Sequence, residues 1–229
     1  MHSFLLIGQS NMAGRGRICE AKAIDTSRIF VFRDSIFQPF SRPVSRDFPD
    51  AGVCLAESFA ESYVKKYGVD VGIIPCAVGG TRIEQWKKGS ELFENAVNQV
   101  ELARKTSEIA GILWHQGESD TAPERCEVYE ENLDNLVNDL RTSAHLENVP
   151  FITGALGDFL EFYEPDPRQK NYPLINTATK NVVKKNDKMG YVSADGLTAN
   201  KDNLHFNAEA LYEFGLRYFE EYERVKSTI

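Results

Sequence analysis

The sequence of 229 residues lacks any run of 18 apolar residues, so it contains no candidate transmembrane helix. Its first residues, MHSFLLIGQ, have no basic segment and only four consecutive apolar residues, unlike a signal peptide. Basic charge is also scarce: 26 basic residues against 34 acidic ones give a net charge of −8. This balance opposes binding to nucleic acid or to an anionic membrane. We therefore expect a cytoplasmic protein whose partner is a neutral small molecule.

Cysteine is scarce as well, and no CxxC pair indicates a zinc or redox site. The four cysteines are far apart in the sequence and are predicted to be reduced thiols: Cys19, Cys54, Cys76 and Cys126. His115, Glu118 and Asp120 are close in sequence, but this mixed ligand set has no second cluster that would complete a metal site. The sequence therefore predicts neither a metal nor another cofactor.

Short apolar segments alternate with amphipathic stretches along the whole chain. The predicted strands cover residues 4–7, 69–76, 109–114, 150–156 and 190–194. The predicted helices cover residues 53–67, 92–105, a stretch that begins at Pro123, 174–184 and 208–225. This alternation predicts right-handed crossovers and a five-stranded parallel sheet with helices on both faces. Because no linker, repeat or low-complexity segment interrupts it, residues 1–229 are predicted to form one α/β domain.

Residues 27–49 do not follow this pattern. They contain several aromatic residues and three prolines but no clear period. We expect this segment to pass over the carboxyl ends of the strands. There it would either form one wall of the substrate site or merely cover the sheet.

Four polar turns follow predicted strands or precede the last predicted helix. They read GQSNMAG (8–14), AVGGTR (77–82), WHQGESD (114–120) and DNLHFN (202–207). Ligands of an open parallel sheet bind beyond the carboxyl ends of its strands. We therefore expect these turns to converge on one site.

The residue types in these turns suit acyl transfer. A serine becomes a good nucleophile when an imidazole takes its proton, and a carboxylate holds that imidazole in the right tautomer. Ser10 can be the nucleophile, His205 the base and Asp202 the orienting acid. The three-residue spacing of Asp202 and His205 lets both side chains leave one turn. Read alone, Ser10 could be a helix cap, and Asp202 with His205 a capping pair.

An acyl-transfer site also needs donors for the oxyanion of the tetrahedral intermediate. The candidates are the backbone N–H of Ser10, a backbone N–H at Gly80 or Gly79, and the side-chain amide of Gln116. Glycine suits the second position because the backbone must approach the substrate without a Cβ in the way.

Together the four turns resemble the signature blocks of the SGNH (GDSL-like) hydrolase superfamily. More narrowly they resemble its sialate O-acetylesterase or carbohydrate acetylesterase branch, which includes acetylxylan esterases. The blocks occur in the expected order and span residues 8–205. Gln9 stands where the wider superfamily has Asp, and Gln116 stands where it has Asn; both departures are typical of this branch.

The resemblance implies a flavodoxin-like, three-layer α/β/α sandwich, the SGNH hydrolase fold. It implies Ser10, Asp202 and His205 as a catalytic triad. It also implies Ser10, Gly80 and Gln116 as the oxyanion hole, with Gly80 preferred to Gly79 from its place in the block. The implied function is a metal-free serine esterase that removes O-acetyl groups from carbohydrates such as xylo-oligosaccharides or sialic acids.

Six further residues are interpreted from their positions near these turns. Glu118 is expected to hold the loop backbone or Gln116, and Arg82 to meet the hydroxyl groups of a sugar. Trp86 can either meet a sugar ring or pack under its loop. His115 neighbours the site and could orient the substrate, but an adjacent strand residue is expected to point to the opposite face. Gln9 and Gly79 are candidates for substrate contact or for support of the site.

Two other functions stay open at this point. The chain could be a short-chain esterase or thioesterase that acts on a small ester without a sugar. It could also be a carbohydrate-binding module that kept the cleft and lost turnover, although the complete set of catalytic residue types speaks against this. The oligomeric state does not follow from the sequence.

Overall fold

The computed structural model describes residues 1–229 and contains one seven-stranded sheet. Its strands are β1 (His2–Gly8), β2 (Ile29–Arg33), β3 (Ile36–Pro39), β4 (Val71–Pro75), β5 (Glu108–His115), β6 (Phe151–Gly154) and β7 (Met189–Val192). Their order across the sheet is β3-β2-β4-β1-β5-β6-β7, and only the β2–β3 pair is antiparallel. The five predicted strands correspond to β1, β4, β5, β6 and β7, and their parallel arrangement is confirmed.

The predicted count of five strands is wrong because residues 27–49 contain β2 and β3. These strands form a hairpin whose two turn residues, Asp34 and Ser35, have φ angles of 51° and 63°. Such a turn usually carries Asn-Gly or Asp-Gly, and its absence hid the hairpin in the sequence. β3 is the edge strand and none of its residues is fully buried, so it gave no alternating pattern either.

Six helices cover the sheet and form two layers. They are α1 (Ser10–Ala13), α2 (Ala56–Tyr67), α3 (Glu91–Ala103), α4 (Pro123–Ala144), α5 (Tyr172–Lys184) and α6 (Ala208–Lys226). α2 packs on α6, whereas α3, α4 and α5 pack in a row, which confirms the three-layer α/β/α architecture. None of them combines the length and the apolar character needed to cross a membrane.

Local sequence signals fix where several helices begin and end. Pro123 occupies the first turn of α4, where its missing N–H is not needed. The side chain of Asn207 accepts a hydrogen bond of 2.9 Å from the Ala210 N–H and thereby caps α6. Gly68 ends α2 in the left-handed conformation, with φ of 61°. α6 therefore begins directly after the DNLHFN turn and fixes its position.

The central strand β1 joins the core to the site. Its Phe4 ring packs edge-on against Phe59 of α2 and Tyr222 of α6, with centroid distances of 4.8 and 5.5 Å. Full burial of a side chain of this size is worth about 1.5–3 kcal/mol. β4 lies on one side of β1 and β5 on the other. The turns after these three strands therefore meet at one edge of the sheet, where strand order reverses and ligands bind.

Candidate active site

The structure brings Ser10, His205 and Asp202 together beyond the carboxyl end of β1. His205 Nε2 lies 3.0 Å from Ser10 Oγ. His205 Nδ1 lies 2.7 Å from Asp202 Oδ2. Both distances are within hydrogen-bonding range, so the serine, the imidazole and the carboxylate form one hydrogen-bonded chain.

Asp202 is held as a carboxylate. Burial raises the pKa of this carboxyl group, but hydrogen bonds from the His205 ring and from the backbone N–H groups of His205 and Leu204 outweigh burial and lower it to about 2. The two backbone bonds go to Asp202 Oδ1 and measure 3.0 and 2.9 Å. The other oxygen is therefore left to orient the imidazole through Nδ1 and to stabilise its protonated form.

Asn11, the residue after Ser10, fixes the loop that carries His205. Its Oδ1 accepts a hydrogen bond of 3.0 Å from the Phe206 N–H, and its Nδ2 donates one of 3.2 Å to Leu204 O. These two groups flank His205 in the chain. A second bond from Asn11 Nδ2 goes to Glu118 Oε1. Asn11 was not among the residues predicted for the site, although its place in the GQSNMAG turn was a signal for one.

The structure distinguishes the two candidate glycines. The Gly79 N–H donates to Asp47 Oδ2 at 2.8 Å and is therefore occupied. The Gly80 N–H has no acceptor within the protein. A Cβ on Gly80 would meet no atom within 4 Å, so its φ of 73°, rather than crowding, explains the glycine. Ser10 begins α1, where the first N–H groups have no partner within the helix.

Gln116 is buried and does not lie on the wall of the cavity beside Ser10. Its Nε2 faces Gln9 Oε1 at 3.0 Å, Thr81 O at 2.9 Å and a carboxylate oxygen of Asp120. The amide would have to leave one of these acceptors before it could bind an oxyanion, so that role stays a prediction. Through these contacts Gln116 links the turns that follow β1, β4 and β5 by hydrogen bonds.

The carboxylate that holds Gln116 is Asp120 and not Glu118, contrary to one of our two expectations for Glu118. Asp120 Oδ2 also accepts a hydrogen bond of 2.9 Å from the Ile83 N–H. Glu118 instead faces Asn11 and His115, with His115 Nε2 3.5 Å from Glu118 Oε1. His115 is fully buried and does not line the cavity; its ring packs edge-on against Phe206 and Phe214.

The remaining predicted residues divide between the cavity and the core. Gln9 lies on the cavity wall, and its Oε1 also faces the Gly117 and Ser119 N–H groups at 3.4 and 3.3 Å. Arg82 lines the cavity. Trp86 is fully buried under its loop and donates a hydrogen bond of 3.1 Å to Thr81 Oγ1. Of the two interpretations of Trp86, the structure shows packing.

The cavity has a volume of about 600 Å³, and few of the residues that line it are hydrophobic. Ser10 and His205 line it, together with the predicted residues Gly79, Gly80 and Glu118. Four arginines also lie on the wall: Arg15, Arg82, Arg125 and Arg168. Segment 27–49 contributes Asp47 and the exposed ring of Phe48, so it does form part of the wall of this cavity.

Arg15 and Asp47 form a buried ion pair that sequence reasoning missed. Arg15 Nη2 lies 2.7 Å from Asp47 Oδ2, and the side chains are only 9% and 4% exposed. The same Asp47 oxygen accepts the Gly79 N–H. The two residues are 32 positions apart, and Asp47 lies in segment 27–49, which has no periodicity, so no local pattern could have paired them. The pair holds the Gly79–Gly80 turn in place.

Replacing Asp47 with alanine is expected to destabilise the protein by about 3–5 kcal/mol, because it leaves the Arg15 charge buried without a partner. Denaturant unfolding measures this loss. Asp70→Ala is the matched control: it breaks an ion pair with Arg28 whose side chains are 42% and 45% exposed, and it is expected to cost less than about 1 kcal/mol. Equal losses in the two variants would contradict the structural role of the buried pair.

Comparison with known proteins identifies the family and the fold. The family model described as carbohydrate esterase, sialic acid-specific acetylesterase, matches residues 1–224. A probable carbohydrate esterase from Arabidopsis thaliana is 31% identical over 242 residues, which cover 96% of this chain and 89% of the relative. The X-ray structure of an Arabidopsis thaliana protein superposes with a TM-score of 0.85 at 29% identity, over 97% of this chain and 98% of that one.

More distant structures share the fold. A carbohydrate acetylesterase from Xanthomonas citri has a TM-score of 0.73 at 17% identity, over 98% of this chain and 56% of that one. NanS has a TM-score of 0.73 at 15% identity, over 97% and 96% of the two chains. With the family model covering nearly the whole sequence, the chain belongs to the carbohydrate esterase family of sialic acid-specific acetylesterases and is a carboxylic ester hydrolase.

Proposed function

We propose that this protein removes O-acetyl groups from carbohydrates through an acetyl-serine intermediate, with Ser10, His205 and Asp202 as its catalytic triad. The proposal rests on the hydrogen-bonded chain of these three side chains. Ser10 Oγ lies 3.0 Å from His205 Nε2, and His205 Nδ1 lies 2.7 Å from Asp202 Oδ2. A helix cap or a purely structural pair does not require a serine, an imidazole and a carboxylate in this order at the wall of a cavity.

In the first half of the reaction, Ser10 Oγ attacks the acetyl carbonyl carbon while His205 Nε2 takes the hydroxyl proton. The backbone N–H groups of Ser10 and Gly80 donate hydrogen bonds to the resulting oxyanion, since neither has an acceptor within the protein. The bond between the carbonyl carbon and the sugar oxygen then breaks. His205 transfers the proton to that oxygen, and the deacetylated sugar leaves.

In the second half, water attacks the carbonyl carbon of acetyl-Ser10 while His205 takes a proton from the water. The same N–H groups stabilise the second oxyanion. The bond to Ser10 Oγ breaks, His205 returns the proton to Ser10, and acetate is released. Asp202 stays ionised throughout and stabilises the imidazolium that forms in each half.

The carbohydrate part of the proposal is supported by the family and by the character of the cavity. The names of the relatives describe carbohydrate esterases and acetylesterases. The wall offers charged and hydrogen-bonding side chains, which suit the hydroxyl groups of a sugar better than a long acyl chain. The exposed Phe48 ring at the cavity provides an apolar surface against which a sugar ring can lie.

The proposal is tested by measuring acetate release from acetylated xylo-oligosaccharides, O-acetylated sialic acid and 4-nitrophenyl acetate, with wild-type protein beside Ser10→Ala. We expect Ser10-dependent release from at least one of the two sugars. Release from 4-nitrophenyl acetate alone would retain the triad and reject the carbohydrate substrate. No Ser10-dependent release from any of them would reject the esterase reaction and favour a binding module.

The pH dependence follows from the low pKa of Asp202. Hydrogen bonding lowers the pKa of Asp202 from 3.8 to about 2, so this carboxylate is already ionised above about pH 4. Its titration therefore does not change the activity above that pH. Activity is therefore expected to fall on acidification between about pH 8 and 5, where histidine bases gain a proton. A profile of kcat/KM against pH measures this. A plateau of activity that continues down to pH 4 would require a different base.

A further inference from the structure

Two aromatic rings of this protein are exposed to solvent. Among 14 phenylalanines, 9 tyrosines and 2 tryptophans, only Phe48 and Phe162 are exposed, at 57% and 67%. Phe48 lines the cavity that holds Ser10 and His205, and Phe162 lines a second cavity, of about 790 Å³, that holds Asp202. Scattered exposed apolar residues need no explanation, but both exposed rings lie at cavities that contain a triad residue.

The two cavities are neighbours. Tyr163 lies on the wall of both. His205 on the wall of the first is hydrogen-bonded, at 2.7 Å, to Asp202 on the wall of the second. Phe162 is held near the same turn, because Asn203 Nδ2 donates a hydrogen bond of 3.4 Å to Phe162 O. The cavities are therefore two compartments of one cleft, with the nucleophile in the first and the Phe162 ring in the second.

The four arginines of the first cavity all face carboxylates of the protein. The nitrogen–oxygen distances run from 2.7 to 3.8 Å, and the pairs are Arg15–Asp47, Arg82–Glu84, Arg125–Glu124 and Arg168–Asp166. Glu118 adds a further carboxylate to the wall. An anionic ligand would compete with these carboxylates, so the four arginines do not make the first compartment a site for an anion.

Charges of both signs also meet in the second compartment. Lys170 Nζ lies 3.3 Å from Glu161 Oε1, and the other two charged side chains outside the triad, Glu164 and Lys201, have opposite signs. Such a wall suits a neutral ligand whose O–H groups both donate and accept hydrogen bonds. An exposed phenylalanine ring in each compartment offers an apolar surface to one face of a pyranose. A chain of linked pyranoses presents both kinds of surface.

We propose that the second cavity is a binding subsite for a neutral oligosaccharide chain. The acetylated sugar lies against Phe48 beside Ser10, and the chain continues past Tyr163 so that a further sugar ring lies on Phe162. The inference rests on the proposed function and deepens it, because it names an oligosaccharide rather than a monosaccharide as the substrate. It predicts that lengthening the chain speeds deacetylation and that Phe162 is responsible for this effect.

The test measures acetate release by the full chain from a mono-O-acetylated methyl xyloside and from xylotetraose acetylated on one terminal residue. Both terminal positions are used, because the direction of the chain in the cleft decides which one fits. For the wild type, kcat/KM is expected to be at least about 5-fold higher for the better tetraose than for the xyloside, since the ring on Phe162 adds a contact.

Phe162→Ala is expected to bring this ratio close to one. Leu174→Ala is the matched control: it removes an apolar side chain of α5 that is 55% exposed and lines neither cavity, and it keeps the wild-type ratio. Both side chains are exposed, so both variants are expected to fold. A tetraose with a uronic acid branch tests the charge of the ligand and is expected to react no faster than the neutral tetraose.

Each result has a distinct meaning. Equal kcat/KM for the xyloside and both tetraoses in the wild type would overturn the subsite and leave the proposed carbohydrate esterase intact. An unchanged ratio in Phe162→Ala would overturn the role of Phe162, and a wild-type dimer that this variant dissociates in sedimentation would make the ring a contact between copies instead. A several-fold preference for the uronic acid branch would overturn the neutral ligand. Hydrolysis of 4-nitrophenyl acetate alone would reject the carbohydrate function and the subsite with it.

Discussion

Ser10→Ala is expected to lower kcat for ester hydrolysis by about 10⁴–10⁶, the loss found when a triad nucleophile is removed. Without Oγ no acetyl-enzyme can form, and only the N–H groups and the cavity remain to assist water. Acetate release under saturating substrate measures the loss. The free energy of unfolding is expected to change little, because the Ser10 hydroxyl contacts His205 at the cavity wall and does not fill the apolar core.

Ser227→Ala is the matched control for this experiment. Ser227 follows α6 at the exposed end of the chain, and its hydroxyl bonds only to Arg224 O. The kcat of the Ser227→Ala variant is expected to equal that of the wild type. If Ser10→Ala retained wild-type turnover while folded, Ser10 would not be the nucleophile and the mechanism above would be rejected.

Asp202→Asn is expected to reduce kcat by about 10⁴, as measured for the loss of the triad carboxylate in a serine protease. The asparagine fits the same space, but its amide can donate to His205 Nδ1. That bond favours the tautomer with the proton on Nε2, the nitrogen that faces Ser10 at 3.0 Å. An imidazole in this tautomer cannot accept the serine proton.

The control for Asp202→Asn is Asp195→Asn, which also removes one negative charge but lies in an exposed turn. Arg217 donates its hydrogen bond to the backbone carbonyl of Asp195 and not to the side chain, so the substitution leaves this bond intact. Comparison at equal protein concentration separates loss of the orienting carboxylate from a general change of charge. A loss of less than about 10-fold in Asp202→Asn would show that Asp202 does not set the tautomer of His205.

The parallel sheet and the convergence of the polar turns followed from the sequence because both depend on local patterns. Apolar segments such as residues 109–114 mark buried strands, and alternation with helices fixes parallel pairing. Once the pairing is parallel, Ser10 at the end of β1 and the turns after β4 and β5 must lie at one edge. The short contact between His205 and Asp202 follows from their spacing in one turn.

Other features depend on contacts between distant segments, which no local pattern encodes. The β2–β3 hairpin lacks the usual turn residues, so it was interpreted as an irregular excursion. The Arg15–Asp47 pair joins two loops, and only the folded chain shows that its carboxylate occupies the Gly79 N–H. Likewise, Asp120 and Glu118 are two residues apart, but the turn sends one to Gln116 and the other to Asn11. The spacing of two acidic residues does not reveal this division.

The central claim is that Ser10 is a nucleophile activated by His205. It is tested most directly by treating the full chain with a fluorophosphonate probe and locating the modified residue by peptide mass spectrometry. We expect stoichiometric labelling of Ser10, no labelling of Ser10→Ala, and loss of esterase activity in parallel with labelling. Labelling of a different residue, or full activity in protein whose Ser10 is completely modified, would contradict the account.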